Sequence, residues 1–136
     1  MTPRVRAIVL FLVCAACGNG AMNATDRRDC GLFPIDPKAD ASGVPEPFLL
    51  DGVEVAKSIK GKKRVTVAMN NPRSVQESFP LFKEAVEEAG FELVGEDNEG
   101  FEAELYMRRG SKLGQIQIRS SPCPDATAVY LIIVQT

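Results

Sequence analysis

Residues 72–93, PRSVQESFPLFKEAVEEAGFEL, decide how the rest of the chain is arranged. Val75, Phe79, Phe82, Val86 and Ala89 recur at steps of three and four, the spacing of one helical face. Glu77, Glu84, Glu87 and Glu88 fall mostly on the opposite side. Gly90 supplies a left-handed stop, after which Phe91 can fold back onto the last turn. The beginning of the helix admits two readings. Ser74 and Glu77 have capping-box spacing, and Asn71 before Pro72 is also a good cap. Pro80 has no N–H to give to a helix already under way. Either Ser78 is the cap and Pro80 lies in the first turn, or a short turn over 72–77 precedes a kink. The second is favoured, because Val75 continues the apolar face.

Outward from this helix the chain reads as strands. Upstream, 52–58 follows the Asp51-Gly52 turn signal, and Val53 and Val55 share a face. Lys60-Gly61-Lys62 turns the chain into a strand over 64–69, with Val65, Val67 and Met69 facing one way, and Asn70-Asn71-Pro72 ends it. Downstream, 91–95 is a strand closed by a turn over 96–100. Residues 101–109 alternate Phe101, Ala103, Leu105 and Met107 against Glu102, Glu104, Tyr106 and Arg108. A strand over 112–119 buries Ile116 and Ile118. The stretch 128–134 is apolar on both sides, so it belongs inside the sheet, where no edge is exposed to aggregation. The expected fold is α+β: an antiparallel sheet of five to six strands with one amphipathic helix on one face, in the order β-β-α-β-β-β-β.

The register of the hairpin between 101–109 and 112–119 follows from its turn. A two-residue turn beginning with Gly suits type II′, so Gly110-Ser111 is the turn and Arg109 faces Lys112. Leu105 then meets Ile116, and Ala103 meets Ile118, on the buried face. Glu104 meets Gln117 and Glu102 meets Arg119 on the outer face. A three-residue turn would oppose Glu104 to Ile116 and put carboxylates on the apolar side.

The 136 residues are enough for one small domain, and a net charge of −2 gives no footprint for nucleic acid. The chain has no histidine, so the usual neutral-pH base and the commonest metal ligand are missing. No cofactor motif is present. Glu96, Asp97 and Glu99 invite a Ca²⁺ reading, but their spacing fails the EF-hand pattern and a solvated turn explains them. Glu84, Glu87 and Glu88 beside Lys83 read as an outer helix face rather than an acid/base pair. Lys57, Lys60, Lys62, Lys63 and Arg64 form a basic hairpin end, suited to anionic lipid, peptidoglycan or an acidic partner, or simply to keeping an edge strand soluble. Tyr106, Arg108 and Arg109, with Tyr130 nearby, are the candidate partner surface on the outward side of the sheet, since Tyr and Arg are favoured in hot spots.

The N-terminus reads MTPRVRAIVLFLVCAACGNG. Arg4 and Arg6 precede an apolar run from Ala7 to Val13 that is too short to span a bilayer, and Cys14-Ala15-Ala16-Cys17-Gly18 follows. This resembles a bacterial lipoprotein signal, with Cys14 standing where that family usually has Leu. The resemblance implies removal of 1–16 as the signal peptide, fatty-acyl chains (palmitate among them) on Cys17, and, with Gly18 rather than Asp next, the outer membrane. An ordinary secretory peptide cut near Ala16 or Ala21 is the alternative. Loss of 1–16 leaves 14 basic and 18 acidic side chains, a net charge of −4. Cys30 and Cys123 then remain, two thiols in an oxidising compartment, and are expected to form a disulfide. Residues 17–46 read as lipidated Cys, tether and irregular arm, with Phe33 and Ile35 as anchors, and 47–136 as the α+β domain.

The pieces Val44-Pro45, Val65-Thr66-Val67, Pro72-Arg73-Ser74 and Ala89-Gly90-Phe91 together resemble small uncharacterised bacterial envelope lipoproteins. That resemblance carries no catalytic motif and no assigned activity; the expected function is a non-enzymatic binding or scaffolding module, anchored through Cys17 in the cell envelope and facing an envelope protein or the cell wall. A small-ligand sensor domain and a carboxylate-dependent hydrolase are the alternatives.

Overall fold

A computed structural model describes residues 28–136. The leader over 1–16 and Cys17 lie outside the described residues. Six strands form one antiparallel sheet: β1 (Glu54–Lys60), β2 (Arg64–Asn71), β3 (Glu92–Asn98), β4 (Glu102–Arg109), β5 (Lys112–Ser120) and β6 (Thr127–Gln135). The spatial order is β1-β2-β6-β5-β4-β3, and the helix α1 (Val75–Glu88) lies between β2 and β3 in the chain. The fold is therefore α+β in the expected order.

Capping fixes both ends of α1. The Ser74 hydroxyl accepts from the Glu77 N–H while the Glu77 carboxylate accepts from the Ser74 N–H, a complete capping box. The helix begins at Val75 and continues through Pro80, so the favoured short turn over 72–77 is not a separate element. Pro80 withholds its bond from Gln76, and because Gln76 is exposed, water can take that carbonyl. At the other end Gly90 adopts φ 74°, and the Phe91 and Gly90 N–H groups donate to Val86 and Glu87. This is the Schellman pattern, and it returns Phe91 to the core.

The helix lies over β3, β4 and β5 and beside a 3-10 turn at Glu46–Phe48. Phe82, Val86 and Phe48 are fully buried with Val67, Met69, Leu105, Ile116, Ile118, Val129 and Leu131 of the sheet. Burying one such side chain contributes roughly 1.5–3 kcal/mol. β6 is interior, between β2 and β5.

The β4–β5 register is the expected one: Arg109 pairs with Lys112, Leu105 with Ile116, Ala103 with Ile118, Glu104 with Gln117 and Glu102 with Arg119. Gly110 has φ 57° and Ser111 has negative φ, as type II′ requires. On the outer face Gln117 Nε2 donates to Glu104 at 2.9 Å and to Glu102 at 2.6 Å, and Arg119 pairs with Glu102 at 3.1 Å.

Residues 28–53 pack on the sheet without joining it as a strand. Cys30 and Cys123 are bonded, with Cα atoms 5.1 Å apart. Leu32 and Ala126 pack around the bridge. Phe33 meets the Tyr130 ring edge-on at 4.9 Å. The Phe33 N–H and C=O are both taken by the Asn70 side chain, at 3.0 and 2.8 Å. The Asp36 N–H then bonds the Ala56 carbonyl at the bulge between Val55 and Lys57, which covers part of the β1 edge. Ile35 is 37% exposed and is no anchor; Leu32, Phe33, Val44 and Phe48 hold this segment instead.

Asn70 and Asn71 do not make a turn. Both lie in β2 and both are buried. Asn71 Nδ2 donates to Ser78 Oγ at 2.6 Å and Thr127 Oγ1 at 2.8 Å, tying α1 to β2 and β6. β3 likewise runs through Glu96 and Asp97, which are strand residues rather than the turn expected at 96–100. An edge strand with one solvated side tolerates charges there.

Candidate functional site

At the end of the sheet where α1 stops, four strands continue past the helix. The residues on the helix-facing side of this overhang come from separate turns. Lys63 lies in the β1–β2 turn, and its carbonyl accepts from the Gln135 N–H of β6. Gln135 pairs across to Lys112 of β5, and Lys112 to Arg109 of β4. Three cations therefore share one cross-strand row. Val65 and Ile133, paired directly across β2 and β6, lie one row inward. Together with Phe91 on the helix side and Gly43-Val44-Pro45 opposite, they bound an open cleft of about 490 Å³. Lys62 and Arg64 complete its rim. Five cationic residues line the cleft and no carboxylate residue does.

Arg109 is fixed here. Its Nη1 donates to the Ala89 carbonyl at 2.6 Å, and its guanidinium lies 4.5 Å from the centre of the Phe91 ring. It thus neutralises the carbonyl end of α1, which would otherwise repel an anion. Lys62, Lys63 and Lys112 make no ion pair among the described residues. Lys60 differs: it pairs with Asp40 at 3.1 Å. The carboxyl of Asp40 is held below its usual range by the Ser42 hydroxyl and by Lys60.

The opposite end of the sheet is acidic. Asp97, Glu99, Glu102 and Glu104 surround a smaller depression of about 210 Å³ near the β3–β4 turn. Glu96 is engaged by Lys83 at 2.6 Å. Among the described residues no group of three or more His, Cys, Asp or Glu side chains is arranged to hold a metal. Glu84, Glu87 and Glu88 stand exposed on the outer helix face.

The three candidates for a partner surface are not brought together. Tyr106 and Arg108 face outward on β4, but Arg109 falls on the helix side, as strand alternation requires. Placing Arg109 outward is corrected by its bond to Ala89. Arg108 pairs with Glu92 at 2.9 Å. The Tyr106 ring covers Gly95 across the strand pair, where a Cβ would lie 3.4 Å from it. Its hydroxyl bonds Glu104, and that bond raises the phenol above its ordinary pKa. Tyr130 lies two strands away, under Phe33.

The sequence signals the basic run at 57–64, but Arg109 and Lys112 join it only because β6 inserts between β2 and β5. Among the described residues no helix is long and apolar enough to cross a membrane. In comparison with known proteins, the chain matches no family model, no curated protein and no solved structure.

Proposed function

We propose that the chain is an exported, lipid-anchored binding module of a bacterial cell envelope, held to the membrane through Cys17 and not an enzyme. The observation that carries this reading is the Cys30–Cys123 bridge. It joins residues 93 apart in sequence and fastens the segment nearest the leader to the β5–β6 connection. Structural disulfides persist in oxidising compartments, which is where a leader ending in Ala15-Ala16-Cys17 would send the chain. More than one acyl chain on Cys17 gives stable anchoring, since a single chain holds only marginally. The folded domain then serves to present a surface to an envelope protein or a cell-wall component.

Mass spectrometry of the native N-terminus tests this reading, with a chain beginning at acylated Cys17 as the expected species. Cys17→Ser should give an unlabelled, unprocessed or soluble protein in fatty-acid labelling. Label retained on the Cys17→Ser protein would overturn the anchor, and free thiols at Cys30 or Cys123 in the unreduced protein would overturn the compartment.

A further inference from the structure

We infer that the cleft at the Lys63–Gln135–Lys112–Arg109 row is an anion-binding site, and that its ligand carries two or more phosphate or carboxylate groups. The inference rests on reading the protein as a binding module, and it names the chemistry of what is bound.

Three observations support it. The first is uncompensated charge. Lys62, Lys63 and Lys112 come from two different turns and converge on one cleft with no carboxylate residue lining it. Outside the cleft, Lys60 pairs with Asp40, Lys83 with Glu96, Arg108 with Glu92 and Arg119 with Glu102, while Lys38 and Lys57 make no ion pair among the described residues; what distinguishes the cleft is that its cations converge. A like-charged pair directly opposite across two strands, Arg109 with Lys112, is destabilising in a folded sheet. A multivalent anion between them would reverse that repulsion.

The second is preorganisation. Arg109 is held by the Ala89 carbonyl and the Phe91 ring before any ligand arrives, so little side-chain entropy remains to be lost. Its remaining guanidinium N–H groups suit the planar, two-oxygen edge of a carboxylate or phosphate.

The third is the field. The acidic group at Asp97, Glu99, Glu102 and Glu104 lies toward the other end of the strands, with Glu104 and Glu102 about 17–24 Å from Arg109 along β4. Its separation from the cleft makes the molecule bipolar and directs an anion to one end. Cys30 and its bridge lie at that acidic end, by the β5–β6 connection. A chain tethered through its N-terminus would therefore leave from the pole opposite the cleft, which favours a ligand presented away from the anchoring membrane over the headgroups of that membrane.

The test uses the full chain, isotopically labelled and purified in dodecyl maltoside, titrated with pyrophosphate and with citrate while NMR shifts are followed. The expected result is saturable binding of at least one of them, with shifts centred on Lys63, Arg109, Lys112 and Gln135 and with affinity falling as salt rises. Binding of pyrophosphate alone identifies phosphate as the ligand chemistry, and of citrate alone carboxylate. The double variant Lys63→Gln/Lys112→Gln should weaken binding about tenfold. Arg119→Gln and Arg108→Gln, both outside the cleft, should change it less than about twofold. Absence of binding by either anion, equal weakening by the outside variants, or binding only to vesicles doped with phosphatidylglycerol would overturn the inference. None of these readouts depends on Cys17, so failure of the anchor and failure of the cleft are separable.

Discussion

The two ends of the sheet are built on opposite principles. At the end holding the β5–β6 connection, each unusual residue is tied to another segment. Cys30 is bonded to Cys123, Asn71 holds Ser78 and Thr127, Asn70 holds the Phe33 backbone, and Ser74 and Glu77 close the helix. At the other end Lys62, Lys63 and Lys112 are tied to no acid among the described residues, and Val65 and Ile133 are only half covered. The internal ties gather at the first end, and the unpaired cations of the cleft gather at the second. Polar residues at the first end should therefore be costly to change, while those at the second should be nearly silent in stability.

The largest effect separating the ends is expected from the bridge. Cys30→Ser/Cys123→Ser should lose about 2–4 kcal/mol in urea unfolding, since a loop of this length is near the upper range of the chain-entropy model. A loss under about 0.5 kcal/mol would show that the segment is held by Phe33 and Asn70 rather than by the disulfide.

Next comes Asn71→Ala. It removes a buried donor to two hydroxyls and should cost about 1–3 kcal/mol. Ser78 still donates to the Ser74 carbonyl at 2.6 Å, so a double change of Asn71 and Ser78 should be less than additive.

Ser74→Ala should cost about 1 kcal/mol through loss of the cap. This position also carries a pH signature. The Ser74 backbone N–H and then its hydroxyl hold the Glu77 carboxyl below the usual glutamate range. A depressed folded pKa contributes stability that is present above the unfolded value and is lost as pH falls through the folded one. Wild-type protein should therefore weaken in acid more steeply than Glu77→Gln, whose profile should be flatter below about pH 4. Parallel profiles would remove Glu77 from the capping box.

The smallest effect is expected at the open end and has the opposite sign. Lys112→Gln relieves the repulsion with Arg109 and should be neutral or stabilising by about 0.2–0.5 kcal/mol at low salt. A loss above about 1 kcal/mol would mean that Lys112 has an internal structural role, and the contrast between the ends would fail.

The hairpin register was legible because two independent signals agreed: Gly110-Ser111 demands one turn type, and only one pairing keeps Glu102 and Glu104 off the apolar side. The helix stop at Gly90 and the interior position of β6 were legible for the same reason, that composition and local geometry point the same way. Asn70-Asn71 reads locally as a strand end because the same two residues serve as turn formers or as buried hydrogen-bonding side chains, and the choice depends on Phe33, Ser78 and Thr127, none of which is adjacent in sequence. Ile35 looked like an anchor by hydrophobicity, yet Leu32 and Val44 took that role because the path of the segment is set by the bridge and by Asn70. The basic run at 57–64 was visible as a charged turn. Its meeting with Arg109 and Lys112 was not, since it follows from strand order and no local pattern encodes that order.

That strand order has a consequence for the timing of folding. β6 is the last of the six strands in the chain, and it is the piece that joins the β1–β2 hairpin to the β3–β4–β5 meander. Until it pairs, both halves expose an open edge, on β2 and on β5, with no strand to bridge them. The helix-covered core therefore closes as one late, non-local event, slow by comparison with the hairpins that precede it. The cleft is therefore the last feature to form, since only the final strand brings Lys63 and Lys112 to either side of Gln135.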